Sequence, residues 1–285
     1  MKKENKFTNV LFCIWVFVAF AILQLAVTLP LSLPLQMQAL TAANGDLSKY
    51  QEIYFQLIAE SNVGFKAQII YTCLSCVLAA IWFLKGYRKT YSEEERAQSK
   101  KMMKNGYLTA GLIFGTLAFY CFDVFVANGV ATLWPAAEDY NEFLMSVSLD
   151  GNVILSTLIV VVLAPINEEL IYRGIILRKS TKAFTAIVPI ILVQAILFGV
   201  MHMNPVQSAY AVIIGVFFGF IAYKYKSIIP SIFAHVLNNG VATLAGYLPE
   251  GARTLPLYLV YFVVFLAAAI CFFVLNKKKN AVKEA

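Results

Sequence analysis

Three short polar clusters interrupt stretches that otherwise read as lipid-soluble helix. They are Glu168-Glu169-Leu170-Ile171-Tyr172-Arg173, Phe198-Gly199-Val200-Met201-His202 and His235-Val236-Leu237-Asn238-Asn239. Ionisable side chains at membrane depth are costly and mark functional sites. The chain has only two histidines, and both lie in these clusters. Two histidines, two glutamates, an arginine and an asparagine suffice for hydrolysis: a carboxylate or imidazole takes a proton from water, and donors steady the oxyanion.

Within the first cluster, Glu168 and Glu169 are neighbours on a helix, about 100° apart, and cannot share one role. Glu169 and Arg173 are four apart, on one face, in the favourable acid-before-base order. That pairing leaves Glu168 without a local counter-charge, as a general base requires. The structural alternative is that both glutamates belong to ion pairs. Pro165 removes a backbone hydrogen bond beside the site and loosens the helix there. Phe198 and His202 share a face, and a lone intramembrane histidine serves equally well as a helix-to-helix hydrogen-bonding group. His235 and Asn239 also share a face and suit donors aimed at an oxyanion. Ser231, four residues before His235, is the one hydroxyl placed for a serine mechanism, a minor reading.

The elements that must position these groups are membrane helices. The chain is 60% hydrophobic and 14% charged over 285 residues, with mean hydropathy +0.72. A soluble domain carries nearly twice that charge fraction. Spans of roughly 20 apolar residues are expected at 9–29, 66–84, 107–127, 153–177, 187–203, 206–225, 228–248 and 255–275. The runs are continuous rather than alternating, so an all-α polytopic membrane protein of about eight helices is expected, not a barrel.

The net charge of +7 reports topology and not nucleic-acid binding. Lys2, Lys3 and Lys6 precede the first span, and Lys85, Arg88, Lys89, Arg96, Lys100, Lys101 and Lys104 follow the second. Arg178, Lys179 and Lys182 follow the fourth, Lys224 and Lys226 the sixth, and Lys277, Lys278 and Lys279 the eighth. The segment from Asn128 to Gly151 holds Glu138, Asp139, Glu142 and Asp150 and no basic residue. Both termini are therefore expected in the cytoplasm, with attraction to anionic lipids as a side effect. The basic start and long apolar run at the N-terminus read as an uncleaved first span.

Residues 1–150 are expected to hold three spans, an external connection near 36–65 and a charged cytoplasmic loop, where Ser92-Glu93-Glu94-Glu95-Arg96 reads as a capped surface helix. Residues 151–250 form the core carrying all three clusters, and 251–285 the last span and a basic tail. Asp123 is the buried acid of span three, with a structural role preferred. Cys73 and Cys76 match CxxC spacing but lie on an apolar helix, so Cys13, Cys73, Cys76, Cys121 and Cys271 read as packing residues without disulfides. Gly215 and Gly219, four apart, suit close helix contact. Convergence depends on where span five starts. A start near Pro189 puts His202 about 20 Å from the cytoplasmic boundary, Glu168 about 15 Å and His235 about 10–12 Å at ~1.5 Å per residue. A start at Phe184 carries His202 too near the far side.

Glu-Glu-x-x-x-Arg, Phe-x-x-x-His and His-x-x-x-Asn, in that order on consecutive apolar helices, resemble the CPBP or Abi family. This family groups CAAX prenyl endopeptidases (Rce1-like) with bacteriocin-processing and immunity-type membrane proteins. The resemblance covers about 150–245, and all three motifs are intact. It implies a helical intramembrane protease in which Glu168 and His202 activate water, His235 and Asn239 stabilise the oxyanion, and Glu169, Arg173 and Phe198 support them. No cofactor is expected in that reading.

Two alternatives stay open. In a zinc-dependent version, His202, His235 and Glu168 supply three ligands and leave a position for water, although no HExxH helix is present. A non-proteolytic scaffold or immunity factor would instead bind a membrane-protein partner. A transporter would show inverted repeats and broken helices, and neither is evident. The expected partners are the bilayer and a membrane-associated peptide or protein substrate, in a bacterial cytoplasmic membrane, with a peptide more plausible than a prenylated protein.

Overall fold

In the computed structural model, residues 5–87, 104–137 and 153–284 are described, together with 92–94, 97 and 100. The described residues are helical and contain no strand. The all-α multi-pass reading therefore holds. Glu138, Asp139, Glu142 and Asp150 of the acidic segment lie outside the described residues, as do Lys2, Lys3, Arg88, Lys89, Arg96 and Lys101. Of the expected helix at 92–96, only 92–94 is described, with Glu93 and Glu94 helical.

The chain runs through α1 (Lys6–Ala43), α2 (Leu47–Ser61), α3 (Val63–Trp82, extended by a π-turn Phe83–Tyr87) and α4 (Gly106–Leu133). It continues through α5 (Val153–Ala183), α6 (Ile187–Met201), α7 (Pro205–Tyr225), α8 (Ile229–Ala245) and α9 (Leu255–Glu284). Among them, α1, α3, α4, α5, α7 and α9 are long and apolar enough to cross a membrane. The two remaining expected spans are shorter, with 15 residues in α6 and 17 in α8. At 1.5 Å per residue these reach about 23–26 Å, less than a ~30 Å hydrocarbon core.

The external connection expected near 36–65 is instead a helical hairpin. α1 continues to Ala43 through Pro30 and Pro34, and Asn44 adopts a left-handed conformation (φ 46°) that ends it. Asp46 then caps α2, accepting hydrogen bonds from the Ser48 and Lys49 amides at 3.0 and 3.1 Å. No residue of α2 is buried.

α5 is the central element. Every residue from Glu169 to Ile176 is buried, with α3, α6 and α7 packed around that stretch. Its helix is broken twice, at the π-helical stretches Ile159–Leu163 and Glu169–Ile176. Such i→i+5 segments commonly occur at functional sites. α4 and α9 pack most extensively on each other, and α4 also packs against α7 and α8. The glycines that read as packing residues do pack: a Cβ at Gly215 would lie 3.1 Å from the Phe198 ring and 3.3 Å from Ala195. The five cysteines are free thiols.

Candidate functional site

Glu169 and Arg173 form the ion pair that their spacing implies. Arg173 Nη1 donates to Glu169 Oε1 at 2.7 Å, and both side chains are fully buried. Arg173 also donates from Nη2 to the Gly215 carbonyl at 3.2 Å. Its guanidinium stacks on Phe198 (4.6 Å) and Phe218 (5.3 Å). Gln194 Nε2 donates to the same Gly215 carbonyl at 2.9 Å. Gly215 therefore admits Phe198 by lacking a side chain and also offers its carbonyl to two donors.

Adjacent glutamates on a helix diverge, yet both reach one imidazole. His235 Nδ1–H donates to Glu169 Oε1 at 3.0 Å, and His235 Nε2 lies 3.4 Å from Glu168 Oε2. The π-helical stretch begins at Glu169, so the helix changes winding between the two carboxylates. His235 straddles that change.

The second motif meets the third through an aromatic ring. Phe198 lies edge-on to His202 (5.0 Å) and to His235 (5.7 Å), and Phe218 stacks on His235 at 4.7 Å. His202 follows the last residue of α6, and its Nδ1–H donates to the Phe198 carbonyl at 2.9 Å. A carbonyl can only accept, so the neutral ring keeps its lone pair on Nε2. α6 begins at Ile187, between the two starts considered from sequence.

Asn239 is placed by a defect in α5. The Ala164 amide donates to the Ile159 carbonyl in the i→i+5 pattern. The next bond in that ladder would run from residue 165 to the Val160 carbonyl, but Pro165 has no N–H. Asn239 Nδ2 donates to that carbonyl at 2.9 Å instead. Asn238 Nδ2 in turn donates to Asn239 Oδ1 at 3.4 Å. One hydrogen of the Asn239 amide is thus committed to the helix break, and one remains.

Glu168, His202, His235 and Asn239 line one cavity of about 790 Å³. Glu168 is the accessible carboxylate, at 27% exposure against none for Glu169. The cavity is walled also by Gln24 of α1 and by Gln68, Tyr71 and Thr72 of α3. The first 150 residues therefore reach the site, which no motif in them signals. A buried link from the same side joins Ser75 Oγ to Asn167 Oδ1, which accepts at 2.8 Å. Sequence reasoning missed Ser75, Asn167, Gln194 and Phe218. Gln194 and Asn167 carried a usable signal, as lone amides in apolar helices.

His202 Nδ1 is hydrogen-bonded to a backbone carbonyl and His235 Nδ1 to Glu169, so a metal would have to be held by the Nε2 atoms of both rings together with Glu168. Among the described residues, no three of His, Cys, Asp or Glu converge as metal ligands.

Neither a curated protein nor a solved structure matches this chain. Residues 150–241, about a third of the chain, match a family model described as type II CAAX prenyl endopeptidase Rce1-like. The match supports a CAAX-type intramembrane protease in general, and the apolar helices make the chain an integral multi-pass membrane protein. Over this segment the chain is similar to the Rce1-like family, the group to which its three motifs were likened.

Proposed function

We propose that the chain is an intramembrane endopeptidase that hydrolyses a peptide bond in a membrane-associated peptide or protein with water activated by Glu168 and His202. The observation that carries this reading is the shared cavity, where the one exposed carboxylate, both histidines and Asn239 meet. Glu168 takes a proton from water, and His202 Nε2 is a second acceptor that orients it. The water oxygen attacks the scissile carbonyl carbon, and its C=O electrons become the oxyanion. His235 and the remaining Asn239 hydrogen stabilise that oxyanion. Collapse breaks the C–N bond, and Glu168 returns the proton to the leaving amine. Glu169 and Arg173 hold His235 in place.

In this reading 151–250 is the catalytic core and 1–150 contributes to receiving substrate. The protein sits in a bacterial cytoplasmic membrane with both termini inside, and no metal takes part. Cleavage of a peptide library by purified wild type, Glu168→Ala and His202→Ala, with and without chelator, tests it. Activity lost in both variants and untouched by chelator is expected. Activity abolished by chelator and restored by zinc would replace the glutamate mechanism with a metal one. Equal cleavage by all three proteins would remove the active-site assignment.

A further inference from the structure

We propose that Asn238, which lines the cavity together with Gln24 and Gln68, receives the backbone of an unwound, extended substrate segment, so that peptide backbone rather than an appended lipid is what these amides recognise. This rests on the protease reading above.

A peptide bond must leave its helix before water can attack it. At membrane depth each freed N–H and C=O then lacks a partner, at a cost of several kcal/mol per group. A site that accepts such a segment has to supply those partners from its walls. Side-chain amides suit the task, because each carries both donors and an acceptor.

Asn238 has its orientation imposed. Pro165 frees the Val160 carbonyl, and that acceptor fixes Asn239 with its nitrogen inward. Asn239 Oδ1 then takes the Asn238 nitrogen. The remaining atom, Asn238 Oδ1, is buried and has no hydrogen-bond partner, while the side chain lines the cavity beside Glu168. An unmade buried acceptor is a standing penalty that an incoming donor relieves. The His235 Nδ1–H is already engaged by Glu169. A substrate backbone N–H is the donor that the reaction itself brings, and a hydrocarbon chain has none.

Two further amides line the same cavity, Gln24 of α1 and Gln68 of α3. Gln68 Nε2 donates one hydrogen to Thr72 Oγ1 at 3.3 Å, which leaves its other amide hydrogen for a ligand. Both glutamines lie outside the matched segment 150–241. Substrate choice is therefore built by helices that the hydrolytic domain does not include.

An ester scan tests this without relying on a variant's folding. The full chain, purified in detergent, is given a cleavable peptide in which one amide at a time is replaced by an ester, flanking but not including the scissile bond. Each replacement removes a single N–H. One position is expected to raise KM about 2- to 10-fold in wild type, the range of one hydrogen bond. In Asn238→Leu, and in Asn238→Ser, that same ester should have no further effect. A flat scan in wild type, or an equal ester penalty in wild type and variants, would overturn the proposal while leaving the protease intact. A requirement for a prenyl group on every cleaved peptide would also overturn it. Wild type and Glu168→Gln cleaving no peptide alike would sink the protease reading itself, and this inference with it.

Discussion

The buried pair of Glu169 and Arg173 gives the sharpest energetic expectation. Arg173→Met keeps the length of the side chain and removes the charge. Glu169 then keeps His235 Nδ1–H as a donor and loses the 2.7 Å bond to Arg173, in a place with no exposure. Leaving one member of a buried pair uncompensated costs about 3–5 kcal/mol. The substitution also removes a hydrogen bond to the Gly215 carbonyl and stacking on Phe198 and Phe218. The unfolded chain in a membrane finds other partners, which lowers such numbers. We take about 3 kcal/mol as the expected loss. Glu169→Gln/Arg173→Met removes both charges, and it should recover at least about half of that loss. Reversible unfolding of the purified protein in mixed micelles with increasing SDS measures all four corners of the cycle. A cycle additive to within about 0.5 kcal/mol would refute the argument that Arg173 exists to neutralise Glu169.

Three further outcomes follow from the same geometry. Glu168→Ala should lower peptide cleavage by about 10²–10⁴-fold, the usual contribution of a general base, with an unfolding midpoint close to wild type because Glu168 is partly exposed. Pro165→Ala restores an N–H beneath the Val160 carbonyl, so Asn239→Ala, costing about 1 kcal/mol alone, should cost measurably less in that background by the same unfolding assay. Gly215→Ala drives a methyl to within 3.1 Å of Phe198 and should cost about 1–3 kcal/mol, with cleavage falling as the Phe198 ring shifts against both histidines.

Much of the site was legible because its residues are anomalies against a lipid-soluble background. Glu169 and Arg173 could be paired from spacing alone, since a four-residue step on one helix is a local relation. His235 lying between the two glutamates was not legible. It depends on a change of helical winding at Glu169 and on the approach of α8, both tertiary events. The depth estimate for His202 depended on the start of α6, and Ile187 falls between the two options weighed. The helical hairpin of α1 and α2 escaped because hydropathy marks where lipid ends and says nothing of whether a helix continues past it. Gln24, Gln68 and Ser75 escaped for a different reason: single polar residues in an apolar span become meaningful only when a neighbour 92 positions away, as for Ser75 and Asn167, is known to touch them.

A water-consuming reaction at membrane depth requires both polarity and order, and α5 supplies each through the same irregularities. A regular helix would satisfy its own carbonyls and present its two glutamates in fixed, divergent directions. Pro165 and the π-helical stretches break that self-sufficiency. One broken bond releases the Val160 carbonyl, which Asn239 fills from α8, and the second stretch lets His235 from the same helix contact both carboxylates. α8 is thus bound to α5 at two points by polar contacts in an otherwise apolar interface. Those contacts hold His235 and Asn239, the two groups assigned to the oxyanion, in a fixed relation to Glu168. The helix defects that cost α5 its regularity are what fasten α8 to it.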